Sequence, residues 1–187
     1  IENKNPKSIG TSLEEITLHE QRKELDNPVS GYIRDDGIVI DHIPAGMGRR
    51  LAGVLGLESR RLPKVISDYL PSPKHGGLKD LVKIHGTYEL TPEQHDAIAL
   101  IAPNATINVI RNSSINKKYQ LRLGESINGR VVCVNDGCIT NVKKEEITPK
   151  HDVEEIGDKI NLRCQYCEKT DTIERIYNDN RFVYIGE

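Results

Sequence analysis

The sequence predicts an α+β chain with two domains. β-Branched segments alternate with helical ones between residues 37 and 110. All four cysteines lie beyond residue 130, in two closely spaced pairs, and the chain after residue 123 carries little apolar material. The 187 residues suffice for one medium domain or two small ones. A sheet domain followed by a smaller β domain organised by its cysteines accounts for all of these observations.

Composition excludes several classes of function. The net charge of −2 gives no bias towards nucleic acid or anionic membranes. No apolar run reaches the roughly 20 residues of a membrane span, and no signal peptide opens the chain. The sequence therefore predicts a cytoplasmic protein without membrane partners. With 4% aromatic residues and no Trp, a small domain is expected to need a staple beyond its core.

Residues 1–30 are predicted to form an extension or linker. Ser12 and Glu15 have the spacing of a capping box, which predicts a short helix over 13–25 that ends at Asn27 and Pro28. Its apolar positions are sparse, so such a helix would need a partner to be stable.

The first domain is predicted from the order of its elements. Thr91, Pro92 and Gln94 combine an N-cap, a proline in the first turn and a capping box, which predicts a helix to Ile101. An earlier helix is predicted over 47–57, and strands are predicted over 37–43, 65–70, 78–84 and 105–110. The order βαββαβ is that of a ferredoxin-like sheet with two helices on one face.

The cysteines dominate the second domain. Cys133 and Cys138 are separated by four residues, and Cys164 and Cys167 by two. Both spacings let two sulfurs reach one tetrahedral centre, and strands lead into both loops as in zinc ribbons. Gly137 is expected to supply a left-handed backbone conformation. Further short strands are predicted over 172–177 and 182–185.

These four cysteines are predicted to hold one structural zinc ion. Four thiolates would complete the coordination shell and leave no position for catalysis. Two disulfides or free buried thiols are the alternatives, although nothing in the sequence indicates secretion.

Three segments, together with the cysteine pairs, resemble one family. They are IVIDHIPA at 38–45, KDLVKI at 79–84 and APNATINVIRN at 102–112. In this order they resemble the regulatory chain of aspartate carbamoyltransferase over residues 31–187. The resemblance implies a non-catalytic chain of pyrimidine biosynthesis in which residues 31–123 bind the nucleotide effectors CTP, ATP or UTP. It also implies that residues 124–187 contact the catalytic chain, and that regulatory dimers bridge catalytic trimers.

The resemblance also implies which residues bind the effector. They are Asp41, His42, Lys83, Asn108, Ile110 and Lys118. Taken alone, Asp41-His42 could equally be a hydrogen-bonded strand end, and Lys79 and Lys83 a solvated strand face. Ser113 stands where relatives often have Tyr, and Asp35 and Asp36 replace a more basic stretch, so weaker or altered nucleotide binding is expected.

Two other functions stay open at this point. Residues 1–30 could be the linker of a fused catalytic-regulatory chain. Alternatively, a zinc-ribbon protein could bind nucleic acid through the basic residues Lys143, Lys144, Lys150 and Arg163, although neighbouring glutamates and the negative net charge oppose this.

Overall fold

The computed structural model describes residues 12–15 as backbone and, with side chains, residues 33, 35–73, 77–156 and 159–183. These residues form two compact units, one spanning 12–122 and the other 123–183.

The first unit is an antiparallel sheet with two helices. Its elements are β1 (Ser12–Glu15), β2 (Gly37–Pro44), α1 (Gly48–Val54), β3 (Lys64–Pro71), β4 (Leu78–His85), α2 (Pro92–Ile101), β5 (Thr106–Arg111) and β6 (Ser114–Arg122). The strand order is β1-β6-β5-β2-β4-β3. Its inner part, β5-β2-β4-β3, has the ferredoxin-like order that the sequence predicts.

Alternation along the central strands separates a core face from a polar face. Ile38 and Ile40 of β2 and Ile84 of β4 are at most 2% exposed and belong to the core, as do buried residues of both helices. The predicted capping box of α2 is present, since Thr91 Oγ1 accepts from the Gln94 N–H and Gln94 Oε1 accepts from the Thr91 N–H. The opposite face of β2 carries Val39 and Asp41.

Both neighbours of β4 are bulged at the same level. In β2, the register against β4 shifts between Ile40 and Ile43, and His42 has a φ of 61°. In β3 the register shifts between Ser67 and Leu70, and Tyr69 has a φ of 57°. Such bulges locally redirect side chains.

A buried carboxylate on β4 connects this region to the first helix. Asp80 has no exposed surface, and its two oxygens accept 2.8 Å hydrogen bonds from the backbone N–H groups of Gly48 and Tyr69. It therefore holds the start of α1 against the bulge of β3.

The second unit is built on a small four-stranded sheet. Its strands are β7 (Ser126–Asn128), β8 (Lys150–Ile156), β9 (Lys159–Cys164) and β10 (Thr170–Thr172), in the order β10-β9-β8-β7. A 3-10 turn (Ile139–Asn141) follows the first cysteine loop, and α3 (Ile173–Asn178) follows β10.

Three local predictions are wrong. Residues 13–15 of the predicted N-terminal helix belong to β1, which pairs with β6, and the rest of that helix lies outside the described residues. The predicted strand over 172–177 is mostly α3, because the Thr172 hydroxyl caps it by accepting from the Arg175 N–H. Gly137 is not among the residues with positive φ. Of the predicted strand over 182–185, Phe182 forms a single bridge with Val131, and residues 184 and 185 lie outside the described part of the chain.

Candidate functional site

The four cysteine sulfurs converge on one point. All lie within 4.8 Å of one another, with Cys133 and Cys167 Sγ atoms 3.6 Å apart and Cys138 and Cys164 Sγ atoms 3.8 Å apart. The close contacts join sulfurs from different loops, and all four cysteines are free thiols. The geometry is that of a shared metal site rather than of two disulfides.

Backbone and side-chain donors surround the sulfurs. Cys133 accepts a hydrogen bond from the backbone of Asn135, and Cys164 accepts from the backbones of Tyr166 and Cys167. The Thr140 hydroxyl lies 3.2 Å from Cys138 Sγ. Such donors stabilise negative charge on sulfur.

The thiols differ in acidity because their surroundings differ. Burial raises the pKa of Cys133, and the adjacent thiols of Cys167 and Cys164 raise it further. Cys167 is different: its slight burial acts to raise its pKa, but hydrogen bonds from the Lys169 backbone and the Asn135 side chain, with the neighbouring thiols, lower it to about 7. A divalent cation at the centre would favour the thiolate form of every ligand.

A second candidate site lies on the polar face of the first sheet. Val39 of β2 lies opposite Lys83 of β4 on one side and opposite Asn108 of β5 on the other. Asn108 in turn lies opposite Lys118 of β6. Opposite residues of antiparallel strands project to the same face, so this row runs across four strands. Lys83 is 4% exposed and Lys118 7%, which is uncommon for lysines.

Other predicted effector residues flank this row. Asp41 follows Val39 by two positions on β2, and Ile110 follows Asn108 by two positions on β5, so both lie on the same face. His42 adjoins Asp41 at the bulge; its backbone N–H donates to Asp41 Oδ1 over 2.7 Å, and its Nδ1 lies 3.6 Å from Asp41 Oδ2. The fold thus brings all six predicted residues to one region of the first unit.

One polar atom in the row lacks a partner within the protein. Asn108 is 8% exposed, and its Oδ1 is buried without a hydrogen bond. Burial is also the largest influence on Lys83 and lowers its pKa, which the carboxylate of Asp41 partly offsets. Without a polar ligand, the unpaired Asn108 oxygen and the desolvated Lys83 ammonium both reduce the stability of the folded domain.

Sequence reasoning missed a further member of this face. Lys79 was not among the predicted effector residues, and a solvated strand face was the alternative for it. Its side chain is 17% exposed, and its Nζ lies 2.9 Å from the carboxylate of Asp41. The sequence signal for this placement was its spacing of four positions from Lys83, because strand residues an even number of positions apart project to the same face. The pairing with Asp41 depends on the bulge, which the sequence does not reveal.

The acidic pair before β2 is engaged at the end of the sheet. Asp36 Oδ1 accepts from the Asn112 N–H over 3.0 Å, and its Oδ2 lies 3.9 Å from Arg111 Nε. The Asp35 carbonyl accepts from the Ser113 N–H. The negative charge of Asp36 is therefore partly compensated by donors of the β5–β6 turn.

Fold and cysteine cluster together define the class, an α+β chain that joins a ferredoxin-like domain to a metal-binding domain. Comparison with known families identifies the particular family. Residues 33–122 match the family model for the aspartate carbamoyltransferase regulatory chain, allosteric domain, and residues 125–177 match its metal binding domain. The chain belongs to the aspartate carbamoyltransferase regulatory chain family.

Individual relatives carry the same name. The chain is 42% identical over 135 residues to the aspartate carbamoyltransferase regulatory chain of Methanococcoides burtonii, covering 72% of this chain and 83% of the relative. It is 44% identical over 135 residues to that of Methanocella arvoryzae, covering 71% and 84%. It is 41% identical over 154 residues to that of Caldivirga maquilingensis, covering 75% and 85%. In the described part of this chain, no helix is long and apolar enough to cross a membrane.

Proposed function

We propose that this regulatory chain binds a nucleoside triphosphate on the polar face of its first unit and one structural zinc ion in its second. The row of Lys83, Asn108 and Lys118 is the observation that supports the nucleotide site most strongly. The effector would be CTP, ATP or UTP, and the chain itself would carry out no catalysis. Its role is to bias the activity of a partner catalytic chain, an aspartate carbamoyltransferase.

The polar face has the groups that a nucleotide requires. Lysine ammonium groups bind phosphate oxygens as point charges, and Lys83 and Lys118 lie on either side of Asn108. The unpaired Asn108 Oδ1 can accept from an amino group of a base or a hydroxyl of a ribose. Asp41, already paired with Lys79, can accept from ribose hydroxyls.

Calorimetric titration with CTP, ATP and UTP tests this assignment. Lys83→Met is expected to weaken binding roughly 10- to 100-fold, because a hydrogen bond to a charged group contributes roughly 1.5–3 kcal/mol. Lys159→Met, which removes an exposed lysine from β9 of the other unit, is the matched control. Heat signals absent for all three nucleotides, or equal affinities for Lys83→Met and the wild type, would refute the nucleotide site.

The sulfur geometry supports zinc as the metal. A tetrahedral ion with bonds of about 2.3 Å to sulfur requires sulfurs about 3.8 Å apart. The Sγ–Sγ distances of 3.6 Å for Cys133–Cys167 and 3.8 Å for Cys138–Cys164 match that edge length. Zinc would draw the four thiolates together and join the loops of residues 133–138 and 164–167, in a domain with few large core side chains.

The surface beside the cysteines supports docking of a catalytic chain. Ile139 and Val142 are each 43% exposed next to the first cysteine loop. Val142 lines a groove of about 480 Å³ with Val132 and Ile147, and Lys143, Glu146 and Arg181 add charges to its wall. The polar side chains of Asp136, Thr140 and Asn141 complete the lining. Exposed apolar side chains mixed with polar and charged ones are common in protein interfaces.

Size-exclusion chromatography with catalytic trimers tests the docking role. Metal-free chain is expected to remain separate from the trimers, whereas the zinc-loaded chain and its Lys83→Met variant co-elute with them. Normal assembly by metal-free chain would contradict the role of the metal domain. Because Lys83→Met is expected to bind nucleotide weakly but still co-elute, it distinguishes docking from nucleotide binding.

A further inference from the structure

A short C-terminal segment folds back against the first cysteine loop. We define residues 179–183 as the C-terminal strap. After α3, Asn180 has a φ of 53°, and the Arg181 N–H donates to the Ile176 carbonyl over 3.0 Å. The family match to the metal binding domain ends at residue 177, so the strap lies beyond the matched segment.

The strap is anchored through its backbone. The Val132 N–H donates to the Arg181 carbonyl over 2.8 Å, and the Val183 N–H donates to the Arg130 carbonyl over 3.0 Å. Between them Phe182, which is 5% exposed, bridges Val131. These bonds pair the strap with the residues that lead into Cys133. They do not involve the Arg181 side chain, so a substitution there is expected to leave the strap in place.

The Arg181 side chain grips the cysteine loop itself. Its Nη2 lies 3.0 Å from Asp136 Oδ1, and its Nη1 donates to the Cys133 carbonyl over 3.4 Å. Cys133 begins the loop, and Asp136 lies two residues before Cys138. The same carbonyl of Cys133 accepts from Asn141 Nδ2 over 2.9 Å. The planar guanidinium can hold two acceptors at a fixed separation. Arg181 therefore fixes the loop that connects Cys133 to Cys138.

Charge adds a second reason for an arginine here. Four thiolates around one divalent cation carry a net negative charge, and a guanidinium keeps its positive charge at any physiological pH. The Arg181 side chain is 26% exposed, whereas Asp136 is 86% exposed, so the ion pair alone contributes little. The more important contact is the one with the loop backbone next to the sulfurs.

We infer that Arg181 is a positioning residue of the metal centre: it fixes the Cys133–Cys138 loop and slows release of the bound ion. This inference rests on the proposed metal binding. Groups that orient metal ligands without touching the metal typically change metal affinity 10- to 100-fold when they are removed.

The test compares zinc release from the full-length chain and its variants. Release is followed with the chromophoric chelator 4-(2-pyridylazo)resorcinol. Arg181→Met is expected to release zinc about tenfold faster than the wild type, and Arg181→Lys to fall between them because it keeps the charge but loses the fork. Arg175→Met is the matched control, since Arg175 is 59% exposed and pairs with Asp171 and Asp179 of the same unit.

A second readout separates positioning from mere support of the fold. Cobalt(II) bound to thiolates has visible absorption bands that depend on ligand geometry. The bands are expected to shift in Arg181→Met and to stay unchanged in Arg175→Met. Wild-type release rates in Arg181→Met would overturn the inference. Faster release with unchanged cobalt bands and a matching loss of thermal stability would also overturn it, because the role would then be structural only.

Two milder variants keep the test decisive if Arg181→Met does not fold. Asp136→Asn removes the charge that Arg181 grips and is expected to speed release less than Arg181→Met does. Wild-type release rates in both Asp136→Asn and Arg181→Lys would overturn the inference. A wild-type chain that binds no zinc would refute the proposed metal function itself, and this would be evident before any variant is compared.

Discussion

Single residues on the polar face are held in a state that costs stability. Lys83 is desolvated, and Asn108 has a buried oxygen without a partner. The Asn108 oxygen does not stabilise the isolated domain, because a buried acceptor is costly unless its hydrogen bond is made. Burial of the Lys83 ammonium adds a desolvation cost. A binding site that must recognise a polar ligand has this property, since the ligand supplies the missing interactions.

Lys83→Met should therefore stabilise the ligand-free chain while it destroys the response to nucleotide. The methionine fills similar space without a charge to desolvate, so the midpoint of thermal unfolding is expected to rise. Nucleotide is expected to raise the midpoint of the wild type but not that of the variant. Differential scanning calorimetry with and without CTP measures both effects, and a lower midpoint for the ligand-free variant would contradict the reasoning.

The same lysine gives stability a definite pH dependence. Burial lowers the folded-state pKa of Lys83 below its usual 10.5, so the unfolded chain holds that proton to higher pH. The free energy of unfolding should therefore rise with pH between the lowered pKa and 10.5. Urea unfolding at increasing pH is expected to show this contribution in the wild type and not in Lys83→Met. Parallel curves for the two proteins would refute it.

At the scale of elements, one carboxylate connects α1, β3 and β4. Asp80 accepts from two backbone N–H groups, the buried one of Gly48 and the partly buried one of Tyr69. The adjacent residue Lys79 reaches the opposite face and pairs with Asp41. Successive residues of β4 thus support the helix on one side of the sheet and the polar face on the other.

Loss of the Asp80 carboxylate should loosen this junction. Asp80→Ala leaves one buried and one partly buried donor without an acceptor, and is expected to lower the free energy of unfolding by roughly 2–4 kcal/mol. Asp80→Asn retains one acceptor and should cost less. Asp68→Asn, which breaks only the exposed ion pair with Arg49, is the control and should cost under about 1 kcal/mol. Urea denaturation measures all three, and equal midpoints for Asp80→Ala and Asp68→Asn would contradict the role of Asp80.

The contact between α2 and β6 should respond to acid. His95 Nε2 lies 3.2 Å from Tyr119 Oη, and the rings meet edge to face. Burial is the largest influence and lowers the pKa of His95; Asp96 opposes this and Lys117 reinforces it. The unfolded chain binds the proton first as pH falls, so stability should decrease from pH 6.5 down through the lowered pKa.

His95→Phe keeps the ring but removes this titration. Urea midpoints measured from about pH 8 to about pH 5 should fall less steeply for the variant than for the wild type. Tyr119→Phe, which retains His95, is the comparison and should keep the acid-dependent decrease. Identical slopes for His95→Phe and the wild type would rule out His95 as the source.

The elements that sequence predicted well are those with strong local signals. The capping box of α2 and the β-branched run of β2 belong to this group. The helix α3 was missed because Thr172, Ile173 and Ile176 favour strand, whereas an N-cap and the ion pairs of Arg175 with Asp171 and Asp179 stabilise a helix. Strand β6 was missed because lysines and other polar residues dilute its apolar alternation.

The candidate sites differ in the same way. The cysteine cluster is encoded by spacing within two short loops, so it could be predicted from sequence. The row of Lys83, Asn108 and Lys118 depends on the register of four strands, which sequence alone does not fix. Family resemblance supplied those residues, and the register accounts for their shared face. Lys79 was not predicted because its pairing with Asp41 depends on the bulge of β2.

At the scale of the whole molecule, the two units rely on different sources of stability. The unit of residues 12–122 has a core of fully buried aliphatic side chains, including Ile40, Leu51, Ile84 and Ile98. In the unit of residues 123–183, three of the buried apolar residues are the cysteines Cys133, Cys138 and Cys164. The unit buries few other apolar side chains, namely those of Ile127, Val131, Leu162, Ile173, Ile176 and Phe182. A metal ion held by the cysteines is therefore expected to supply much of its stability.

Removal of the metal should therefore unfold one unit and spare the other. Treatment with a strong chelator is expected to abolish the slowly exchanging amides of β8 and β9 while those of β2 and β4 persist. CTP affinity should remain close to that of the untreated chain, because its proposed ligands all lie within residues 41–118. Hydrogen exchange followed by mass spectrometry, with calorimetric titration on the same samples, measures both outcomes. Zinc added back should restore protection in β8 and β9, which separates metal loss from irreversible damage. Protection that survives chelation in β8 and β9 would show that the second unit folds without its ion, and would reduce the four cysteines to ordinary core residues.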